Sequence, residues 1–117
     1  MAETIDPNAL PLEVSVSEAH QLLQGEGVAA ALLIDVREPD EVATVAIEGA
    51  RHIPMALVPE QLDTLPKDRP ILVHCHHGGR SLKVTQFLRA KGFENTANVK
   101  GGIDQWAVQI DPAMKRY

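Results

Sequence analysis

A chain of 117 residues has room for one hydrophobic core, since single domains commonly run to roughly 100–150 residues, and a second domain is excluded. Apolar residues make up 44% of it and charged residues 23%, which excludes disordered and fibrous classes. With a formal charge of −5 and no basic run, no nucleic acid or anionic membrane is expected as a partner; the start has no apolar run of signal-peptide length and no stretch approaches a membrane span, so the expected compartment is the cytoplasm.

Residues 1–11, with Pro7 and Pro11, read as an extended segment before a domain at 12–110, and residues 111–117 as a tail. Leu12-Glu13-Val14 suits a short strand. Ser15-Val16-Ser17-Glu18 has capping-box spacing and predicts a helix carrying Ala19, Leu22 and Leu23 on one face, stopped at Gly25. The apolar run Ala31 to Val36 has the pattern of a strand covered on both faces, with Asp35 near its C-terminal end. Pro39 suits the first turn of a helix through Val42, Val45 and Ala46. A short helix is expected at Pro59 to Leu65, then the strongest strand, Ile71-Leu72-Val73-His74, leading straight into Cys75-His76-His77-Gly78-Gly79-Arg80.

From Ser81 a helix is predicted through Val84, Phe87, Leu88 and Lys91 to Gly92. Thr96 to Val99 is a last strand, followed by a Gly101-Gly102 turn and a short helix over Ile103 to Trp106. Strands alternating with helices argue for an open α/β sheet, whose ligands bind beyond the C-terminal ends of the strands. Asp35 and Cys75 both fall at such ends.

A single cysteine forms no internal disulfide, and without a Cys-x-x-Cys pair the usual zinc and dithiol signatures are missing, so Cys75 is either packing or chemistry. Its setting favours chemistry. A loop between a strand and a helix N-terminus can turn successive N–H groups inward, and a sulfur at its first position would be shifted toward the nucleophilic thiolate. Gly78 and Gly79 are expected to supply unusual φ angles and close approach, with His76, His77 and Arg80 forming the rim. Such a role requires a sulfur that is not both buried and turned away from its amides.

Four segments, Asp35-Val36-Arg37-Glu38, Gly49 to Pro54, His74 to Ser81 and Gly101 to Trp106, in this order and spacing resemble the rhodanese homology domain over about residues 12–110. The resemblance implies a three-layer α/β/α domain with a five-stranded parallel sheet and a sulfurtransferase that carries sulfane sulfur as a persulfide on Cys75. A donor such as thiosulfate or a persulfide would load it, and cyanide, a thiol or a protein partner would unload it. It further implies that His76, His77, Gly78, Gly79, Arg80 and Ser81 form the active-site loop and bind substrate, and that Asp35 and Arg37 support it. Asp35 and Arg37 are equally a structural ion pair, and Trp106 and His52 read as structural. No cofactor or metal is expected.

Where two-domain thiosulfate enzymes of this family hold basic residues, this chain has His77 and Glu41, so thiosulfate is expected to be a poor donor. Phosphatases and arsenate reductases that share the fold place five residues between Cys and Arg, whereas Cys75 and Arg80 have four between them. That rival stays open, as do a metal site at His74 to His77 and a binding module without turnover.

Overall fold

The computed structural model describes residues 6–25 and 30–117, and residues 1–5 of the expected lead-in lie outside them. Five strands, β1 (Glu13–Val14), β2 (Leu32–Asp35), β3 (Arg51–His52), β4 (Ile71–His74) and β5 (Thr96–Val99), form one parallel sheet in the order β1-β5-β4-β2-β3. Among the described residues four helices accompany them: α1 (Val16–Leu23), α2 (Pro39–Thr44), α3 (Gly79–Ala90) and α4 (Gly102–Gln109). A 3-10 segment spans Met55–Thr64.

Sheet alternation sends successive side chains to opposite faces and so divides the interior in two. Leu33, Leu72 and Ala97 pack with Val16, Ala19 and Leu22 of α1 and Ile103 and Trp106 of α4. Ile34, Ile71 and Val73 pack on the other face with Val84 and Leu88 of α3 and Val58 and Leu65 from and beside the 3-10 segment. The result is the expected three-layer α/β/α arrangement. Trp106 is core, with His20 edge-on to its indole at 5.7 Å.

Local chemistry accounts for the element ends. Ser15 Oγ accepts from Glu18 N at 3.1 Å, and Glu18 Oε1 accepts from Ser15 N at 2.8 Å, so the capping box opens α1 as its spacing predicts. By contrast α2 ends at Thr44, short of the expected Val45 and Ala46. The Arg37 guanidinium takes the carbonyls of Glu41 and Val45 at 3.3 and 2.8 Å, closing the helix end with a side chain.

The segment expected at Pro59 to Leu65 starts earlier, directly after Pro54, and winds as a 3-10 helix. Pro59 lies inside it and has no N–H to give an α-helical ladder. At its N-terminus α3 gains two residues over the reading from Ser81. No helix among the described residues is long and apolar enough to cross a membrane.

Candidate active site

Parallel register lines up Asp35 of β2 with His52 of β3 on one side and His74 of β4 on the other. One row of polar side chains therefore crosses the C-terminal edge of the sheet, directly before the loop that starts at Cys75. Its centre is the Asp35–Arg37 pair, with Arg37 Nη2 2.7 Å and Nε 2.9 Å from the carboxylate oxygens. Burial raises the Asp35 pKa, but the hydrogen bonds from Arg37 and the charges nearby outweigh it and hold the carboxyl below its ordinary value.

Each of the five N–H groups of Arg37 has a partner: Asp35, the carbonyls of Glu41 and Val45, and the Tyr117 hydroxyl at 3.0 Å. Arg37 therefore has all its donors engaged within the chain. His52 Nε2 lies 2.7 Å from the Arg37 carbonyl, to which it donates, in keeping with a structural role.

His74 is fully buried, 3.7 Å from Asp35 Oδ2, yet burial lowers its pKa to about 4 despite that neighbour. It is neutral near pH 7 and forms no ion pair there. Its Nδ1 faces the Cys75 carbonyl at 3.4 Å, and Nε2 has no hydrogen-bond partner. Cys75 continues the face of Ile71 and Val73 and joins their cluster, opposite to His74. Among the described residues, no group of three or more His, Cys, Asp or Glu side chains is placed to hold a metal ion.

The sulfur of Cys75 accepts the N–H groups of Gly78 at 3.2 Å and Ser81 at 3.4 Å, with the Ser81 hydroxyl at 3.3 Å. Ser81 is the third residue of α3, so its N–H is one of the free donors at a helix N-terminus. Burial pushes the thiol pKa up; the Ser81 hydroxyl and the N–H groups of Ser81, Gly78 and Arg80 pull it down and prevail. Of the loop amides, those of Gly78 and Ser81 are turned onto Sγ, whereas those of His76, His77, Gly79 and Arg80 are not among its hydrogen bonds.

Cys75 is 1% exposed, buried but with the Gly78 and Ser81 amides turned toward its sulfur. One expectation about this loop needs correction. Gly79 has no special backbone role: its φ is not positive, and a Cβ there would meet nothing within 4 Å, because it is already the first residue of α3. Gly78 alone of that pair carries the strained geometry, with φ +112°.

The outside of the loop is held by α4. Ile103 and Asp104 donate their N–H groups to the carbonyls of Cys75 and His76 at 2.9 and 3.1 Å. These carbonyls belong to the peptides that carry the His76 and His77 N–H groups, so α4 fixes the start of the loop ahead of the Gly78 N–H that reaches the sulfur. Gly102 permits the approach.

Asn98 of β5 adds a tie from the side. It donates to Glu13 Oε2 at 2.9 Å and to the Gly78 carbonyl at 3.2 Å, and its Oδ1 accepts the Ser81 hydroxyl at 2.5 Å.

On the rim, Arg80 makes a two-pronged ion pair with Glu41 at 2.7 and 2.9 Å. Residues 111–117, expected as a tail, bring Tyr117 onto the site. Its ring stacks on His76 with centroids 3.9 Å apart and planes 6° apart, and its hydroxyl donates to Glu41 Oε2 at 2.8 Å. His76 is sandwiched, since His77 lies 3.9 Å from its other side.

Sequence reasoning missed Asn98, Gly102 and Tyr117 as parts of the site. A buried Asn within an apolar strand and a Gly pair before a helix are signals; a lone Tyr beyond the last helix carries none.

The chain matches the family model described as Rhodanese-like domain over residues 15–109. It is 38% identical over 76 residues to a sulfurtransferase of Allochromatium vinosum, covering 65% of this chain and 71% of that protein. To the putative sulfurtransferase YtwF of Bacillus subtilis it is 44% identical over 80 residues, covering 68% and 77%. The human single-domain sulfurtransferase TSTD1 superimposes with a TM-score of 0.74 at 27% identity, covering 85% of this chain and 97% of that one. Other relatives are longer: the chain spans 37% of the rhodanese-like/PpiC domain-containing protein 12 of Arabidopsis thaliana, at 31% identity over 110 residues that cover 90% of this chain.

Proposed function

The chain belongs to the rhodanese-like domain family and is a sulfurtransferase, and we propose that it works through a persulfide on Cys75, moving sulfane sulfur from a small donor or a protein persulfide to a thiophilic acceptor. The observation that carries this reading is the pair of main-chain N–H groups, from Gly78 and Ser81, aimed at the Cys75 sulfur.

In the first half-reaction the Cys75 thiolate attacks the sulfane sulfur of the donor. A bond forms between Sγ and that sulfur, and the donor's own bond to it breaks with its electron pair leaving on the remainder: sulfite from thiosulfate, a thiolate from a persulfide. The same N–H groups that favour the thiolate would then serve the negative charge on the outer sulfur. In the second half-reaction cyanide or a thiolate attacks the outer sulfur, takes it, and restores the Cys75 thiolate. His76, His77 and Arg80 would meet donor and acceptor at the rim, while Asp35 and Arg37 hold the sheet edge beneath.

A phosphatase or arsenate reductase needs its loop arginine turned onto a tetrahedral oxyanion. Arg80 instead faces Glu41, and the loop is one residue shorter than those enzymes use. This arrangement favours sulfur over phosphate.

Intact-protein mass spectrometry after exposure to thiosulfate, to a persulfide and to neither tests the reading. Gain of one sulfur atom, localised to residue 75 and removed by cyanide, is expected. Cys75→Ser should abolish transfer without unfolding the chain, and transfer by that variant at the parent rate would overturn the mechanism.

A further inference from the structure

The guanidinium groups around the loop are already matched with carboxylates. Arg37 pairs with Asp35 at 2.7 Å, Arg80 with Glu41 at 2.7 Å, and Arg116 with Asp104 at 2.9 Å. The positive potential that reaches the sulfur comes from peptide N–H groups, which act over a short range, and not from a free side-chain cation at the mouth.

The Arg80–Glu41 pair is unlike an ordinary surface bridge. Both guanidinium prongs are used, and the carboxylate is fixed from two further directions, by Glu38 N at 3.0 Å and the Tyr117 hydroxyl at 2.8 Å. Tyr117 is itself pinned by Arg37 and by stacking on His76. These contacts, led by Arg80, hold the Glu41 pKa down at about 2, so the carboxylate is charged throughout the working range.

We propose that Glu41 is a specificity-determining residue: by tying up Arg80 it cancels the cation at the loop mouth, so that the site draws sulfur from persulfides in preference to the thiosulfate dianion. This rests on the sulfur-transfer reading above. The charge count of the two loading steps gives the reason. With thiosulfate, Cys75–S⁻ and S–SO₃²⁻ yield Cys75–S–S⁻ and SO₃²⁻, so three negative charges crowd the loop throughout. With a persulfide, Cys75–S⁻ and R–S–S⁻ yield Cys75–S–S⁻ and R–S⁻, so two negative charges are present throughout, one fewer than with thiosulfate. A free Arg80 would relieve the first of these more than the second.

The test compares kcat/KM for thiosulfate with kcat/KM for cysteine persulfide, using cyanide as acceptor, in the parent, Glu41→Gln and Glu41→Asp. Glu41→Gln should raise the thiosulfate-to-persulfide ratio about tenfold or more, while Glu41→Asp, which keeps the charge, should leave it within about threefold of the parent. Calorimetric binding of thiosulfate to Cys75→Ser, with and without Glu41→Gln, reads the same charge effect without turnover, and tighter binding in the double variant is expected.

An unchanged or lowered ratio in Glu41→Gln overturns the inference, as does a Glu41→Asp that behaves like Glu41→Gln. Should these variants not fold, the parent decides: its kcat/KM for thiosulfate should not fall as salt is raised, and a steep fall would reveal a free cation and overturn the inference. A parent that loads sulfur from neither donor overturns the sulfur-transfer reading itself. One that loads from both, with the ratio insensitive to Glu41, overturns only the assignment of Glu41.

Discussion

Replacing Gly102 with alanine should damage the sulfur site from outside it. Gly102 holds φ +59°, and a Cβ there would lie 2.4 Å from the Cys75 carbonyl oxygen and 2.6 Å from that of His76. Both obstacles are backbone, and they can retreat only by giving up the N–H groups of Ile103 and Asp104. The left-handed conformation costs a non-glycine residue about 1 kcal/mol, and each of the two hydrogen bonds contributes about 1 kcal/mol. The expected loss is about 3 kcal/mol, a factor of about a hundred in the folding equilibrium.

Gly49→Ala supplies the control. It has φ +87° but open space around its Cβ position, so only the backbone cost of about 1 kcal/mol applies. Urea unfolding monitored by Trp106 fluorescence gives both midpoints, and an unchanged slope licenses reading them as stabilities. Alkylation of Cys75 by iodoacetamide at neutral pH gives the second measure, and it should slow in Gly102→Ala as displacement of the Cys75 and His76 carbonyls shifts the loop and draws the Gly78 N–H away from the sulfur. Equal destabilisation by the two substitutions, together with an unchanged alkylation rate, would refute the claim that α4 shapes the loop.

Ser81→Ala removes a hydroxyl whose single proton is shared between the sulfur at 3.3 Å and the buried Asn98 Oδ1 at 2.5 Å. The thiol pKa should rise, moving the alkylation midpoint to higher pH, with about 1–2 kcal/mol lost in stability; an unmoved or lowered midpoint contradicts this. His74 predicts a separate acid sensitivity. Its pKa is about 4 in the fold against an ordinary 6.5, so below 6.5 the unfolded chain binds a proton that the folded one refuses. Stability is therefore complete above pH 6.5 and declines as the pH falls toward 4, by on the order of 3 kcal/mol. Urea midpoints across this range should show the decline in the parent and a flatter profile in His74→Leu; parallel profiles would exclude His74 as its source.

The sheet was legible because its signals are local and redundant. Ile71 to His74 and Leu32 to Asp35 are apolar runs too short for helices, and Ser15 with Glu18 announces α1 through a pair of reciprocal hydrogen bonds. At the loop the sequence places Cys75 at the end of β4 and Ser81 in the first turn of α3, but which amides between them face the sulfur, Gly78 and not His76 or His77, depends on how the loop turns. What escaped depends on distant partners. The end of α2 is decided by Arg37, which reads as an extended residue until its side chain is seen on the Glu41 and Val45 carbonyls. Tyr117 lies 76 residues from the Glu41 carboxylate it binds, and no periodicity connects them. Gly79 was over-read because adjacent glycines look equivalent in sequence, whereas only Gly78 lies at positive φ; Gly79 already belongs to the helix.

These contacts divide control of the site between two layers. The charge state of the sulfur is set by the N–H groups of Gly78 and Ser81, and their direction is set by the course of the loop, which α4 fixes at the Cys75 and His76 carbonyls and Asn98 at the Gly78 carbonyl. That makes it a matter of packing among β4, α3, α4 and β5, with Gly102 and Asn98 acting on Cys75 from elements that follow it in sequence. The rim is assembled independently, from α2, the first turn of α3 and Tyr117, and its carboxylate and guanidinium meet without touching the sulfur. Substitutions in the first layer should therefore move the thiol's pH profile for every donor alike, whereas those in the second should change which donor is used while leaving that profile largely in place. The two classes separate because a peptide N–H acts at contact distance on one atom, while an uncompensated guanidinium acts at longer range on the whole approaching anion.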